Sequence, residues 1–210
     1  MPRDLLSRLE HVRATHLASH ADRFRRLAED GQQPDVLLVA CSDSRIVPSL
    51  LTGADPGELF IVRTVGNIVH PLGRGADPDP TAAAVEFAVG VLGVGDVVVC
   101  GHSGCGAMAA LYGGVPEEYA ELTGWVEHAR PAALPAEQRE PLTPAERNRV
   151  TAERNVLLSL DRLAADPLVA WRRSAGMLDL HAWMLDLATQ EVAVFDSSTK
   201  AFEPVGTSSS

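Results

Sequence analysis

Apolar positions along the chain follow two rhythms, helical amphipathicity and short unbroken runs, and their order predicts the elements. From 3 to 29, apolar and charged residues alternate at helical spacing, which predicts an amphipathic helix ended by the "DGQQPD" breaker. "DVLLVA" (35–40) is then a short continuous apolar run leading into "CSDSR", as suits a strand of a parallel sheet covered on both faces. "ELFIVRTVGNIV" (58–69), after an "ADPG" turn, reads as a second buried strand. "GRGADPDP" (73–80) is a loop by composition, and "TAAAVEFAVGVLGV" (81–94) is helical in spacing and rich in small residues. "DVVVCGHSGCGAMAAL" (96–111) reads as strand, glycine turn and helix start. Prolines at 116, 131, 135, 141 and 144 keep the helices of that stretch short. A long helix resumes at 143, with Thr143 as N-cap, Pro144 at the first helical position and Glu146 completing a capping box. "GMLDLHAWMLDLATQEVAVFD" (176–196) alternates with period two around a "LATQE" turn, hence a final strand or hairpin. Strands alternating with helices predict an α/β fold, a mostly parallel β-sheet flanked by helices, with an N-terminal helical arm.

Composition narrows the class. With 210 residues, 46% hydrophobic and 22% charged, the chain is expected to form a single domain over 1–210 with a disordered tail at 207–210. No stretch reaches the roughly 20 apolar residues a membrane span needs, and the first twenty residues lack the pattern of a signal peptide, so no membrane partner and a cytoplasmic location are expected. The formal charge of −10, with 18 basic against 28 acidic residues, disfavours nucleic acid, and the basic cluster at 22–30 is interleaved with acids. Three cysteines are too few for a secreted disulfide scaffold, which leaves metal binding, catalysis or burial.

The chemistry gathers at two strand ends, where open α/β sheets place their sites. "VLLVACSDSR" sets Cys41, Asp43 and Arg45 after one strand, and "VVVCGHSGCG" sets His102 and Cys105 after another. If those strands are neighbours, two thiolates and an imidazole meet. Such a set suits Zn2+, which with three protein ligands keeps a fourth position for water and lowers its pKa to about 7. Asp43 and Arg45, two apart, share a face of an extended segment and can pair bidentately. A cysteine hydrolase with Cys41 as nucleophile and His102 as base is a rival that leaves Cys105 idle. A Cys41–Cys105 disulfide is another. A phosphatase-type loop fails because position 47 is Val47. Cys100, inside the apolar run, reads as buried and inert.

"CSDSR" followed about sixty residues later by "GHSGCG" resembles the β-class carbonic anhydrases. The resemblance extends over roughly 3–204, through "PGELFIVRTVGNIV" and "NVLLSLDRLAADPLV" to the hairpin segment. It implies one Zn2+ per chain on Cys41, His102 and Cys105, a catalytic pair of Asp43 and Arg45, and reversible hydration of carbon dioxide to bicarbonate and a proton by a zinc-bound hydroxide. Asp43 would be a conditional fourth ligand, as in pH-switched members. Those members carry Trp and Gly where this chain has Leu38 and Ala40, so it looks more like the plant-type members with an open water position. The same comparison implies a substrate site of Gln32, Phe60, Val65 and Phe87, with Gly106 beside it, Phe87 coming from a partner subunit in a homodimer or higher homo-oligomer. Two alternatives remain: hydrolysis of carbonyl sulfide or carbon disulfide at the same zinc, and a noncatalytic zinc-binding structural or regulatory protein. Of the histidines, His11, His16, His20, His70, His128 and His181, the sequence selects none as a proton carrier.

Overall fold

The structure is a computed structural model and describes residues 3–72 and 79–206. Most of the loop expected at 73–80, and the tail expected at 207–210, lie outside the described residues. The expected N-terminal helix is present in two pieces. α1 (Arg3–Val12) continues through a π-helical turn (Arg13–Leu17), and α2 (Ala21–Asp30) follows a break at His20, where φ is −107° and ψ 10°. Neither the π-helical turn nor α2 buries a residue in the single chain. Arg23 ties α2 to the body through the Pro56 carbonyl (2.6 Å) and Glu58 (2.9 Å).

Six strands form one sheet: β1 (Val36–Cys41), β2 (Leu59–Thr64), β3 (Asp96–His102), β4 (Asp179–Leu185), β5 (Val192–Asp196) and β6 (Ala201–Pro204), in the order β2-β1-β3-β4-β5-β6. The first four pair in parallel and the last two antiparallel. β1 and β3 have neighbours on both sides, and their apolar runs are buried almost throughout, as interior parallel strands require. β2 departs from the expected buried strand. It is the sheet edge and stops at Thr64, and its residues alternate, with Ile61 43% exposed. "FIVRT" therefore carries the period of a half-covered edge strand, and the chain beyond it turns tightly over Val65–Asn67.

Between the strands lie α3 (Pro48–Thr52), α4 (Pro80–Val85, capped by Asp79 and continued by a π-helical segment over Glu86–Leu92), α5 (Gly106–Gly113), α6 (Ala120–Glu127) and α7 (Ala136–Arg139). α8 (Pro144–Ala164) has the expected capping box: the Thr143 N–H donates to Glu146 Oε2 (2.8 Å), and the Glu146 N–H to Thr143 Oγ1 (3.3 Å). α9 (Pro167–Ser174) and β6 are additions to the expected elements. α9 carries a plain start signal, Asp166 accepting from the Leu168 and Val169 N–H groups ahead of Pro167.

The chain leaves β1 towards β2 on one side and later fills β3 on the other, so a crevice opens at the carboxyl ends of β1 and β3, the switch point where α/β sheets bind ligands. α8 packs across β3 and β4 and supports this crevice from below. Its approach depends on Gly101. A Cβ there would stand 2.5 Å from Val156 Cγ2 and 2.8 Å from Met184 Sδ. Gly101→Ala is therefore expected to destabilise the fold by about 1–3 kcal/mol as an overpacked core position. That corresponds to a fall in Tm of roughly 2–4 °C per kcal/mol, measured by thermal unfolding; an unchanged Tm would show that α8 can yield.

Candidate metal centre

Register explains why two segments sixty residues apart meet. Ala40 of β1 lies opposite Cys100 of β3, so Cys41 is level with Gly101 and adjacent to the strand end at His102. A turn with Gly104 in the left-handed region (φ 66°) then brings Cys105 back as the N-cap of α5. Gly101 and Gly106 need no such angle: the first serves packing, and the second opens α5 as an exposed helical residue. One ligand atom from each of Cys41, His102 and Cys105 lies within 4.8 Å of the others, and all three residues are buried.

Each of the three is oriented by its surroundings. His102 Nδ1 faces the Ser103 carbonyl at 2.9 Å, which assigns the ring proton there and leaves the Nε2 lone pair free. Nε2 is itself buried and has no hydrogen-bond partner. Cys41 Sγ accepts from the N–H groups of Asp43 (3.4 Å) and Gly66 (3.3 Å). The second contact needs Gly66, whose φ is 72° and whose Cβ would press on Ala107 at 2.8 Å. Cys105 is clamped at both sides of its backbone by Asn148 of α8, which accepts from its N–H and donates to its carbonyl, each at 2.9 Å.

The electrostatics follow. Cys41 is held well below the ordinary thiol value, chiefly by the neighbouring Cys105 thiol, then by His102 and the two backbone N–H groups, against the opposing effect of burial. Cys105 is raised by its proximity to the Cys41 thiolate and by its burial. For His102, burial alone would lower the pKa; the adjacent Cys41 sulfur, the Ser103 carbonyl and the nearby negative charges raise it on balance. Cys100 stands apart: buried, with its Sγ 3.6 Å from the Gly101 carbonyl, it is pushed up to about 12 by burial alone.

Asp43 and Arg45 stand at the rim of this centre. Arg45 Nε donates to Asp43 Oδ1 (2.9 Å) and Nη2 to Oδ2 (2.7 Å), while the Arg45 N–H also reaches Oδ1 (2.9 Å). These bonds keep the Asp43 carboxyl far below the usual carboxylate range, the side-chain bond to Arg45 being the largest cause. Arg45 Nη2 also donates to the Gly104 carbonyl (3.2 Å), linking this loop to the Cys105 turn. Asp43 Oδ2 is 3.9 Å from His102 Nε2, so the carboxylate overlooks the spot towards which the three ligand atoms converge.

The other candidate residues divide by position. Val65 is 41% exposed, beside Gly66, and its carbonyl accepts from Trp125 Nε1 (2.9 Å). A small cleft of about 320 Å3 opens there between Ser42, Thr64, Val65 and Trp125. Gly106 is exposed next to Cys105. One chain does not bring Gln32, Phe60 and Phe87 to the centre. Phe60 and Phe87 pack on each other with ring centroids 5.9 Å apart. Phe60 lies opposite Leu37, four residues before the level of Cys41, or about 13 Å along the sheet at a strand's rise. Gln32 is exposed and precedes β1, at the opposite end of that strand from Cys41.

Sequence patterning alone had not singled out the supports. Besides Asn148, Asn155 Nδ2 donates to the Gly66 carbonyl (2.9 Å) and Ser159 Oγ to that of Asn67 (3.3 Å), all from the buried face of α8. Arg63 of β2 donates to the carbonyls of Cys41 (2.9 Å) and Asp43 (2.7 Å). The signal for the α8 set was available, since polar residues occupy positions in phase with the apolar Ala152, Val156 and Leu163.

Comparison with known proteins places this geometry. A carbonic anhydrase family model matches residues 36–192. A carbonic anhydrase of Pseudomonas aeruginosa is 38% identical over 201 residues, 95% of this chain and 90% of that protein. Among solved structures, the β-carbonic anhydrase CcaA superposes with a TM-score of 0.88 at 32% identity, covering 96% of this chain and 98% of that one. The chain belongs to the β-carbonic anhydrase family. It is accordingly a carbonate dehydratase. A tetrameric β-carbonic anhydrase from Sordaria macrospora is more distant, with a TM-score of 0.80 at 28% identity, covering 90% of this chain and 94% of that one.

The donor set fits the zinc that β-carbonic anhydrases use. Two cysteine sulfurs and an imidazole, the donor types zinc prefers, converge within 4.8 Å of one another, and the buried His102 Nε2, without a hydrogen-bond partner among the described residues, is the atom such an ion would satisfy.

Proposed function

We propose that this chain catalyses the reversible hydration of carbon dioxide, with one Zn2+ on Cys41, His102 and Cys105 and with Asp43 and Arg45 as its catalytic pair. The observation that carries the proposal is the convergence of those three ligand atoms within 4.8 Å beneath an ion-paired carboxylate, in a chain of this family. Zinc bound there supplies a hydroxide nucleophile at neutral pH by lowering the pKa of its water. The protein supplies the rest. Asp43, an ionised acceptor, takes a hydrogen bond from the reacting water and so fixes its orientation. Arg45 keeps both Asp43 oxygens in place and the carboxyl deprotonated. Asn148 and Gly66 hold the two cysteines at their spacing. The exposed Val65, above the small cleft, suits a small apolar substrate.

The site is read as open, with Asp43 off the metal. The support is that Arg45 engages both carboxylate oxygens, bonds that ligation by Asp43 would have to break. Assembly as a homodimer or higher homo-oligomer is part of the proposal. It accounts for Leu5, Leu6, Leu9 and Val12 of α1, all exposed in the single chain, and lets Gln32, Phe60 and Phe87 serve a neighbouring copy's centre. No helix among the described residues is long and apolar enough to cross a membrane, and the three free thiols suit a reducing, cytoplasmic setting.

Metal analysis with stopped-flow assays on carbon dioxide and on carbonyl sulfide tests the reading. The expected result is zinc near one per chain and a higher kcat/KM for carbon dioxide. Zinc-loaded protein without hydration above the buffer rate at mildly alkaline pH would falsify it, and preference for carbonyl sulfide would reassign the substrate.

A further inference from the structure

Hydration of carbon dioxide releases one proton per turnover, and among the described residues of the metal centre Cys41, His102 and Cys105 form the ligand set while both Asp43 oxygens are held by Arg45. A cluster of titratable side chains lies beside the centre. His70 Nε2 lies 2.8 Å from Asp79 Oδ2, and its Nδ1 faces the Pro71 carbonyl at 2.8 Å. Asp79 is fixed in turn, its Oδ1 accepting from the Ala82 N–H (2.7 Å) as the cap of α4. The His128 ring stands 5.5 Å from that of His70, exposed at the surface. Trp125 closes the group, edge-on to His70 (6.2 Å) and to His128 (5.9 Å), and its Nε1 holds the Val65 carbonyl.

A cleft runs from Asp79 and Trp125 of this cluster to residues that flank the centre. Its walls include Ser42, next to Cys41, and Val65, next to the Gly66 that bonds Cys41, together with Asp79 and Trp125. Among the described residues, the further charged groups facing this region are Arg63, which lines the cleft while bonding the Cys41 and Asp43 carbonyls, and Arg162, which donates to the His128 carbonyl (2.8 Å). Position separates His70 from the other histidines. His181 also pairs with an aspartate, Asp96, at 2.6 Å, but Asp96 begins β3, at the end of the sheet opposite His102. His11, His16 and His20 belong to the N-terminal helical segment before β1.

We propose that the His70–Asp79 pair, with His128 beyond it, is the route by which the proton of each hydration turnover leaves the active-site cleft. The inference rests on the hydration reading above. Carbon dioxide and water give bicarbonate and H+; the proton crosses solvent in the cleft to the His70 ring, paired with Asp79, and is passed to His128 or directly to a buffer base. No electrons change hands. Histidine suits the task because its charge changes in the neutral range, and Asp79, itself a wall of the cleft, fixes the ring at the cleft's edge.

The test is stopped-flow hydration by the zinc-loaded full chain in millimolar and in tens-of-millimolar buffer. His70→Ala is expected to lower kcat about tenfold or more in dilute buffer, to leave kcat/KM for carbon dioxide and zinc content near wild type, and to recover with added imidazole. Asp79→Asn is expected to lower kcat less, and His181→Ala not at all. Should His70→Ala fold poorly, His70→Gln makes the same test. Two results overturn the route: an unchanged kcat in dilute buffer, or a parallel loss of kcat and kcat/KM that imidazole does not restore, the mark of a structural lesion. A zinc-loaded wild type without hydration at either buffer concentration overturns the hydration reading, and this route with it.

Discussion

Cys41→Ser is expected to bring zinc to a small fraction of one per chain and to abolish carbon dioxide hydration, the largest effect that a single substitution at this centre can have. Serine keeps the volume but not the anion, because a hydroxyl does not ionise in the range where a thiol here is already a thiolate. Its removal also undoes the arrangement that the two N–H donors of Asp43 and Gly66 serve, since both point at a sulfur anion. Loss of a mere supporting residue costs about 10–100-fold in metal affinity; loss of a ligand costs more. Cys100→Ala is the matched control. That thiol is buried and lies outside the metal-binding set, so zinc and activity should persist. Metal analysis after gel filtration, with circular dichroism to confirm folding, checks both. Full zinc in folded Cys41→Ser would remove Cys41 from the ligand set. Zinc retention should also weaken as pH falls, because protons compete for Cys105, the thiol raised by its partner, and for His102, raised on balance.

What the sequence disclosed about this centre depended on how local the cause was. Cys41, His102 and Cys105 were legible because each follows an apolar run with the signature of a buried parallel strand, and both runs are interior strands here. The capping box at Thr143 is a four-residue affair and was equally legible. β2 differs from its sequence signature because "ELFIVRTVGNIV" has the apolar content of a core strand, whereas its place at the sheet edge is decided by the order of strands. β6 is four residues long and pairs only through β5. The polar residues of α8 are not legible as supports, because polar positions of an amphipathic helix ordinarily face solvent. Asn148, Asn155 and Ser159 are buried since backbone groups at Cys105, Gly66 and Asn67 need partners that no strand provides. The separation of Phe60 from Cys41 is a matter of register, set between strands and therefore invisible to either one, and Phe87, on the helical segment after α4, follows Phe60 by packing on its ring.

Asp43→Asn is expected to leave zinc bound and to lower kcat/KM about 100-fold or more, the scale of a lost positioned proton acceptor. The change is nearly isosteric, so its effect isolates charge and hydrogen-bond polarity. In the native arrangement both oxygens accept, Oδ1 from the Arg45 N–H and Nε, and Oδ2 from Nη2. An amide presents an NH2 where one of those oxygens stood. It then sets a donor against the guanidinium, or turns that donor towards the reacting water, which needs an acceptor. Neither choice recovers the native function. Arg45→Gln separates the second contribution. Asp43 owes its low pKa chiefly to Arg45, so without the guanidinium the carboxyl should rise towards the ordinary value near 3.9. The sign is fixed by linkage: a carboxylate depressed in the folded state contributes stability above its unfolded pKa and loses it as pH falls through the lower folded value. Wild-type Asp43 therefore stays ionised through the whole assay range. The Arg45→Gln protein should lose activity and stability at a higher pH on the acid side, with zinc content at neutral pH unchanged. Activity of Asp43→Asn within about twofold of wild type, measured by stopped flow with zinc content matched, would remove Asp43 from the chemistry and leave its pairing with Arg45 as a brace between the Cys41 and Cys105 loops.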